Sequence, residues 1–86
     1  MSMSPKYVVI DHMDVRIGSA MKQHRDLVGD SKGKPTSAGF FKIVCDGATL
    51  RAKVFGHSHS LQIEPSVQED ENLIEHALRI GDYMNT

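Results

Sequence analysis

The chain has little of what small extracellular or membrane proteins depend on. It holds one cysteine, Cys45, in 86 residues, so no disulfide within the chain can staple it, and the multi-bridge framework of a small secreted domain is excluded. A reducing cytoplasm is the expected setting. No apolar run approaches the roughly 20 residues needed to span a bilayer. Met1-Ser2-Met3-Ser4-Pro5-Lys6 lacks the basic stretch and apolar core of a signal peptide. The expectation is a protein with no membrane partner, its residues 1–5 a free, mobile end. Tryptophan is absent and only 6% of residues are aromatic. Net charge is nearly absent too, with 10 Lys and Arg against 11 Asp and Glu. With an isoelectric point of about 6.5, the chain falls below the basic range of a dedicated nucleic-acid domain. A chain of this length buries only about 60 to 65% of its unfolded surface, so 1–86 is expected to be one small domain without a deep cleft between lobes.

What is present begins with a hairpin. The β-rich runs Phe40–Cys45 and Ala48–Phe55 flank Asp46-Gly47, a strong turn signal. A loop of those two residues pairs Cys45 with Ala48, Ile43 with Leu50 and Phe41 with Ala52, while Val44 opposes Thr49 and Lys42 opposes Arg51. Phe41, Ile43, Cys45, Ala48, Leu50, Ala52 and Val54 then share an apolar face, and a slip of one residue would destroy that segregation. Cys45 is expected to be a buried, inert thiol on this face.

Pro65 to Gly81 reads as a helix, with Ser66 as N-cap and Glu69 placed for a capping box. Glu69, Asp70 and Glu71 in the first turn and Arg79 in the last suit the helix dipole. Val67, Leu73, Ile74, Ala77, Leu78 and Ile80 form a stripe that would cover the hairpin's apolar face. Earlier, Tyr7–Ile10 and Val15–Ile17 read as strands around a turn at 11–14. Ser19 is a candidate cap for a short helix carrying Ala20, Met21, His24, Leu27 and Val28. Residues 29–39 read as a flexible polar loop, and Leu61–Glu64 as a further strand. The fold class is therefore α+β: a small antiparallel sheet of three or four strands with a C-terminal helix packed on one face.

Charge is polarised along the chain. Residues 16–53 carry eight bases against three acids, and residues 54–86 one base against six acids. The division favours docking between opposite charges, such as an acidic helix of one protomer on a basic sheet of another, and hence a homodimer. Candidate chemistry is sparse. Phe40, Lys42, Arg51, Lys53 and Phe55 would share the hairpin's outer face, where aromatic rings beside cations suit single-stranded nucleic acid. His57 and His59 form a His-X-His pair that points one way on an extended chain, a geometry zinc ligands use, but no second short-spaced pair accompanies it. Gly33-Lys34 lacks P-loop spacing, and the first-turn acids need no catalytic role. The chain is read as non-enzymatic, with no required cofactor.

At Ser37-Ala38-Gly39-Phe40, Phe55-Gly56 leading to Ser58-X-Ser60-Leu61, and Glu69-Asp70 followed by Leu73-Ile74, the chain resembles a group of small uncharacterised bacterial proteins. The similarity covers about the last fifty residues and its motifs are short. It implies a bacterial or phage source and a single small domain, and no activity. The leading expectation is a self-associating interaction or regulatory module whose partner meets the hairpin face and the 29–39 loop. Single-stranded nucleic-acid binding through the hairpin's basic face, or metal binding at His57 and His59, are the alternatives.

Overall fold

Tyr7-Val8-Val9-Ile10 has no polar residue to turn outward, so as a strand it needs cover on both faces. The computed structural model, which describes residues 4–29, 32–58, 61–80 and 84–85, provides that cover. In chain order the elements are β1 (Lys6–Ile10), β2 (Asp14–Gly18), α1 (His24–Val28), β3 (Pro35–Asp46), β4 (Thr49–Phe55), α2 (Val67–Ile80) and β5 (Met84–Asn85). The sheet order is β4-β3-β1-β2-β5. Four strands run antiparallel, and the two-residue β5 adds a parallel pairing on β2. The α+β class and the C-terminal helix on the sheet are as the sequence predicts.

Alternation along each strand sorts the core into two layers. On one face Tyr7, Val9, Val15, Ile17, Phe41, Ala52 and Val54 pack against Ile74 and Ala77 of α2, with Leu73 and Leu78 at the margin. On the other, Val8, Ile10 and Ala38 pack against Leu27 of α1, and Val28, Leu61 and Ile63 close the edges. Val67, expected in the apolar stripe, is 49% exposed at the first position of α2, ahead of the buried Asp70, Ile74 and Ala77.

Several boundaries differ from expectation, each for a local reason. α1 begins at His24, not near Ser19. Residues 19–22 close a turn in which the Lys22 N–H donates to the Ser19 carbonyl, and Gln23 caps the helix with its own N–H held by the Asp26 carboxylate. Arg16 donates to the carbonyls of Leu27 and Val28, satisfying the end of a helix too short to be stable alone. The expected 29–39 loop ends early, since β3 starts at Pro35 and Ser37, Ala38 and Gly39 are buried beside β1. Leu61–Glu64 is not a strand. Among the described residues its pairing is a single bridge between Ser58 and Ile63. At the N-terminus the Pro5 carbonyl accepts the Phe41 N–H, so residue 5 is tied to the sheet, while residues 1–3 lie outside the described set.

The hairpin register is two residues away from the expected one. Asp46 pairs with Thr49, Cys45 with Leu50, Ile43 with Ala52, Phe41 with Val54 and Phe40 with Phe55. The loop is thus Gly47-Ala48. Gly47 has φ +62° while neither Asp46 nor Ala48 is in the positive-φ region, which matches a type II′ turn needing positive φ only at its first central residue. An Asp46-Gly47 loop of type I′ would have forced Asp46 there as well. Because the shift is even, the paired strand residues keep their expected faces, and only Ala48 leaves the apolar face for the loop.

Candidate functional site

β3 is far longer than β1, and the excess projects from the sheet as a two-stranded arm. Beyond Phe41 no described residue pairs with the β1-facing edge of β3, and α2 covers only the near half of the hairpin. The expected apolar face is therefore split. Phe41, Ala52 and Val54 lie in the core, while Ile43 and Leu50 are 43% and 49% exposed and Cys45 is exposed. The buried, inert Cys45 expected from the sequence is corrected accordingly. On the opposite face Val44 is 37% exposed. A two-stranded ribbon with apolar residues open on both faces is marginal in water unless something packs on it.

The five residues singled out from sequence lie on the α1 side of this hairpin, in altered relations. Lys42 opposes Lys53, not Arg51, and Arg51 opposes Val44. Arg51 bends around the sheet edge to Glu75, with Nε 3.5 Å from Oε2, so it leaves the group. Phe40 and Phe55 stack with ring centroids 5.9 Å apart. Phe40 is half-buried, with His24 edge-on at 5.3 Å and Lys6 Nζ 5.7 Å from its ring centroid. Gly56 makes this arrangement possible: it has φ +70°, and a Cβ there would stand 2.8 Å from the Phe40 ring. What remains open is Phe55 beside the like-charged pair Lys42 and Lys53.

Two acids of α2, Glu71 and Glu75, are turned to the neighbouring strand. β4 is an edge strand whose outward amides at Ala52 and Val54 have no strand partner among the described residues, and Glu75 and Glu71 accept them at 2.9 Å each. Alternate residues of a strand lie about 6.6 Å apart, and residues four apart on a helix rise about 6 Å, so the two carboxylates match the two amides. Glu75 also meets Arg51 and Arg79. Of the four acids of α2, Glu71 and Glu75 thus serve the chain's own β4, while Glu69 is exposed.

Sequence reasoning missed a buried polar cluster. Asp70, 2% exposed, accepts the Tyr7 hydroxyl at 2.5 Å, the Ser37 hydroxyl at 2.8 Å and the Ser66 N–H at 2.9 Å. It takes the place expected for Glu69, which is exposed. Burial first, and then its bond to Asp70, push the Tyr7 phenol far above its ordinary range. All three side chains are sealed between sheet and helix, so the cluster fastens α2 and offers no substrate access.

His24 is buried, its Nε2 2.7 Å from the Gly39 carbonyl oxygen. His57 is exposed and His59 lies outside the described residues, so the pair is not brought together among them. Among the described residues no three His, Cys, Asp or Glu side chains are grouped to hold a metal ion. No helix among them is long and apolar enough to cross a membrane. No family model, curated protein or solved structure matches the chain.

Proposed function

We propose that the protein is a small, non-enzymatic interaction module that self-associates through its hairpin arm. The supporting observation is the exposure of Ile43, Val44 and Leu50 on a ribbon that reaches past its own helix. Apolar side chains on an unsupported two-stranded element are a cost to the monomer and a contribution to any complex that covers them. The partner contacts come from the arm and not from the second half of the 29–39 segment, which is core. Its single thiol and the resemblance to small bacterial proteins favour a reducing bacterial cytoplasm as the setting.

Sedimentation equilibrium on the full chain tests this reading. The protein is expected to associate reversibly at micromolar concentration. Leu50→Glu, at a half-exposed position outside both core layers, is expected to weaken association about tenfold or more by losing the burial of one leucine. A chain that stays monomeric to about 1 mM overturns the proposal.

A second reading, binding of single-stranded nucleic acid, is favoured by one specific arrangement. Lys42 and Lys53 are directly opposed beside the Phe40 and Phe55 stack, and like charges across a sheet are relieved by an anion such as phosphate. Binding of a fluorescent oligothymidylate at low salt, lost in the Lys42→Glu, Lys53→Glu double variant, is the expected result on this reading. Absence of binding at low salt ends it.

A further inference from the structure

The open edge of β3 carries a charge pattern that is complementary to itself. The Phe41 N–H points to the β1 side, where it meets Pro5. By alternation the amides and carbonyls of Ile43 and Cys45 face that same side, with no partner among the described residues. Lys42, Val44 and Asp46 point their backbone groups to β4 instead. The sequence of the edge is Lys42-Ile43-Val44-Cys45-Asp46. Lys42 and Asp46 are both exposed, and neither has an ionic partner among the described residues.

We propose that a second copy of this chain pairs antiparallel along Lys42–Asp46, with the two-fold axis at Val44, so that each Lys42 opposes the other copy's Asp46. The proposal rests on the self-association reading above and specifies its interface. Hydrogen bonding restricts the choice of register. Only a pairing that sets edge-facing residues opposite edge-facing residues can form a ladder, which allows centres at Ile43, Val44 or Cys45. Centring on Ile43 opposes Lys42 to Val44, and centring on Cys45 opposes Lys42 to Ala48 and Val44 to Asp46. Only the Val44 centre pairs both charges with their opposites. It also sets Ile43 against Cys45, an edge-facing pair that exchanges both backbone hydrogen bonds.

The same register accounts for the exposed apolar side chains. On the α2 side, Ile43 and Cys45 of each copy meet Cys45 and Ile43 of the other, with Leu50 of each copy flanking them across β4. On the opposite side Val44 meets Val44 at the non-hydrogen-bonded position, where side chains approach most closely. The interface is isologous, each residue i touching j as j touches i. The other edge of the hairpin is less suited, because Ala52 and Val54 already give their outward amides to Glu75 and Glu71.

Charge exchange tests the register. In the homodimer Lys42→Asp sets acid against acid at both ends of the paired segment, and Asp46→Lys sets base against base. Each alone is expected to weaken self-association roughly 10- to 100-fold in sedimentation equilibrium. Mixing the two single variants is expected to restore a heterodimer of wild-type affinity, since the acid introduced at position 42 of one chain then faces the base introduced at position 46 of the other, and the two unaltered residues face each other. The double variant is expected to self-associate as the wild type does. Circular dichroism on each variant checks that the exposed substitutions leave the fold intact. A wild-type dimer insensitive to the charge changes overturns the register while leaving self-association standing. A wild-type monomer overturns both, and protection of the Ile43 and Cys45 amides from exchange in that monomer would assign the edge to an occupant from the same chain.

Discussion

Asp70→Ala is expected to lose about 3 to 5 kcal/mol of folding stability, the sum of two buried hydroxyls left without an acceptor and a lost hydrogen bond at the start of α2. The reason lies in what is left behind. Three donors converge on this side chain, and two of them, Tyr7 and Ser37, are 0% and 3% exposed. Each orphaned buried donor costs about 1 to 3 kcal/mol, with further loss from the small cavity. Small domains hold only about 5 to 15 kcal/mol in total, so the loss is a large fraction of the whole and brings a domain at the low end of that range close to its unfolding midpoint. Tyr7→Phe removes one donor and leaves Asp70 two, so about 1 to 2 kcal/mol is expected. Urea denaturation followed by circular dichroism, with an unchanged slope and a lowered midpoint, is the measurement. An Asp70→Ala loss below that of Tyr7→Phe would mean that the cluster does not fasten the helix. Glu69→Ala is the control: it removes an exposed acid from the same turn, costing only its share of the helix dipole, about 0.3 to 1 kcal/mol.

This contrast marks where the sequence stops being informative. That a helix follows Ser66, here Val67–Ile80, and that acids belong in its first turn, is readable from capping and dipole rules. Which of three adjacent acids is buried depends on Tyr7 and Ser37, which lie 63 and 33 residues away in the chain, and no local rule reaches that far. The hairpin behaves similarly. Period-two alternation assigned the paired residues of 40–46 and 49–55 to their correct faces, because a two-residue shift preserves parity, while Ala48 passed from the apolar face into the loop. The register itself turned on whether Asp46 or Ala48 joined Gly47 in the loop. Nor does alternation say how much of a face is covered. The apolar character of its face predicts a core position for Cys45, and the structure leaves it exposed because α2 is pinned at Tyr7, Ser37, Ala52 and Val54 and does not extend along the arm. The basic group on the opposite face lost Arg51 for the same reason: Glu75 on that pinned helix stands at the edge of β4 and draws the guanidinium around it.

The double variant Glu71→Ala, Glu75→Ala is expected to cost about 2 to 4 kcal/mol, from two hydrogen bonds between carboxylates and backbone amides at about 1 to 2 kcal/mol each. Alanine is a slightly better helix former than glutamate, so loss of helix propensity cannot account for a drop. The freed amides of Ala52 and Val54 reach water, which keeps the cost below that of the sealed Asp70 cluster. Their exchange behaviour is the direct readout. Amides on the outer side of an edge strand ordinarily exchange fast, whereas the Glu71 and Glu75 carboxylates should protect these two in the wild type, and the double variant should lose that protection selectively. A second consequence concerns association. An edge strand stripped of its covering groups becomes a template for another chain, and β4 would then offer Leu50, Ala52 and Val54 along a free ladder. Light scattering should rise with concentration in the double variant beyond the wild-type level. Glu71→Gln with Glu75→Gln separates charge from capping, since an amide oxygen still accepts an N–H. That variant should keep most of the exchange protection and lose only the Arg51 and Arg79 pairings, about 0 to 1 kcal/mol each at exposed arginines. Protection of Ala52 and Val54 unchanged in the alanine variant would show that the helix carboxylates do not cap the strand.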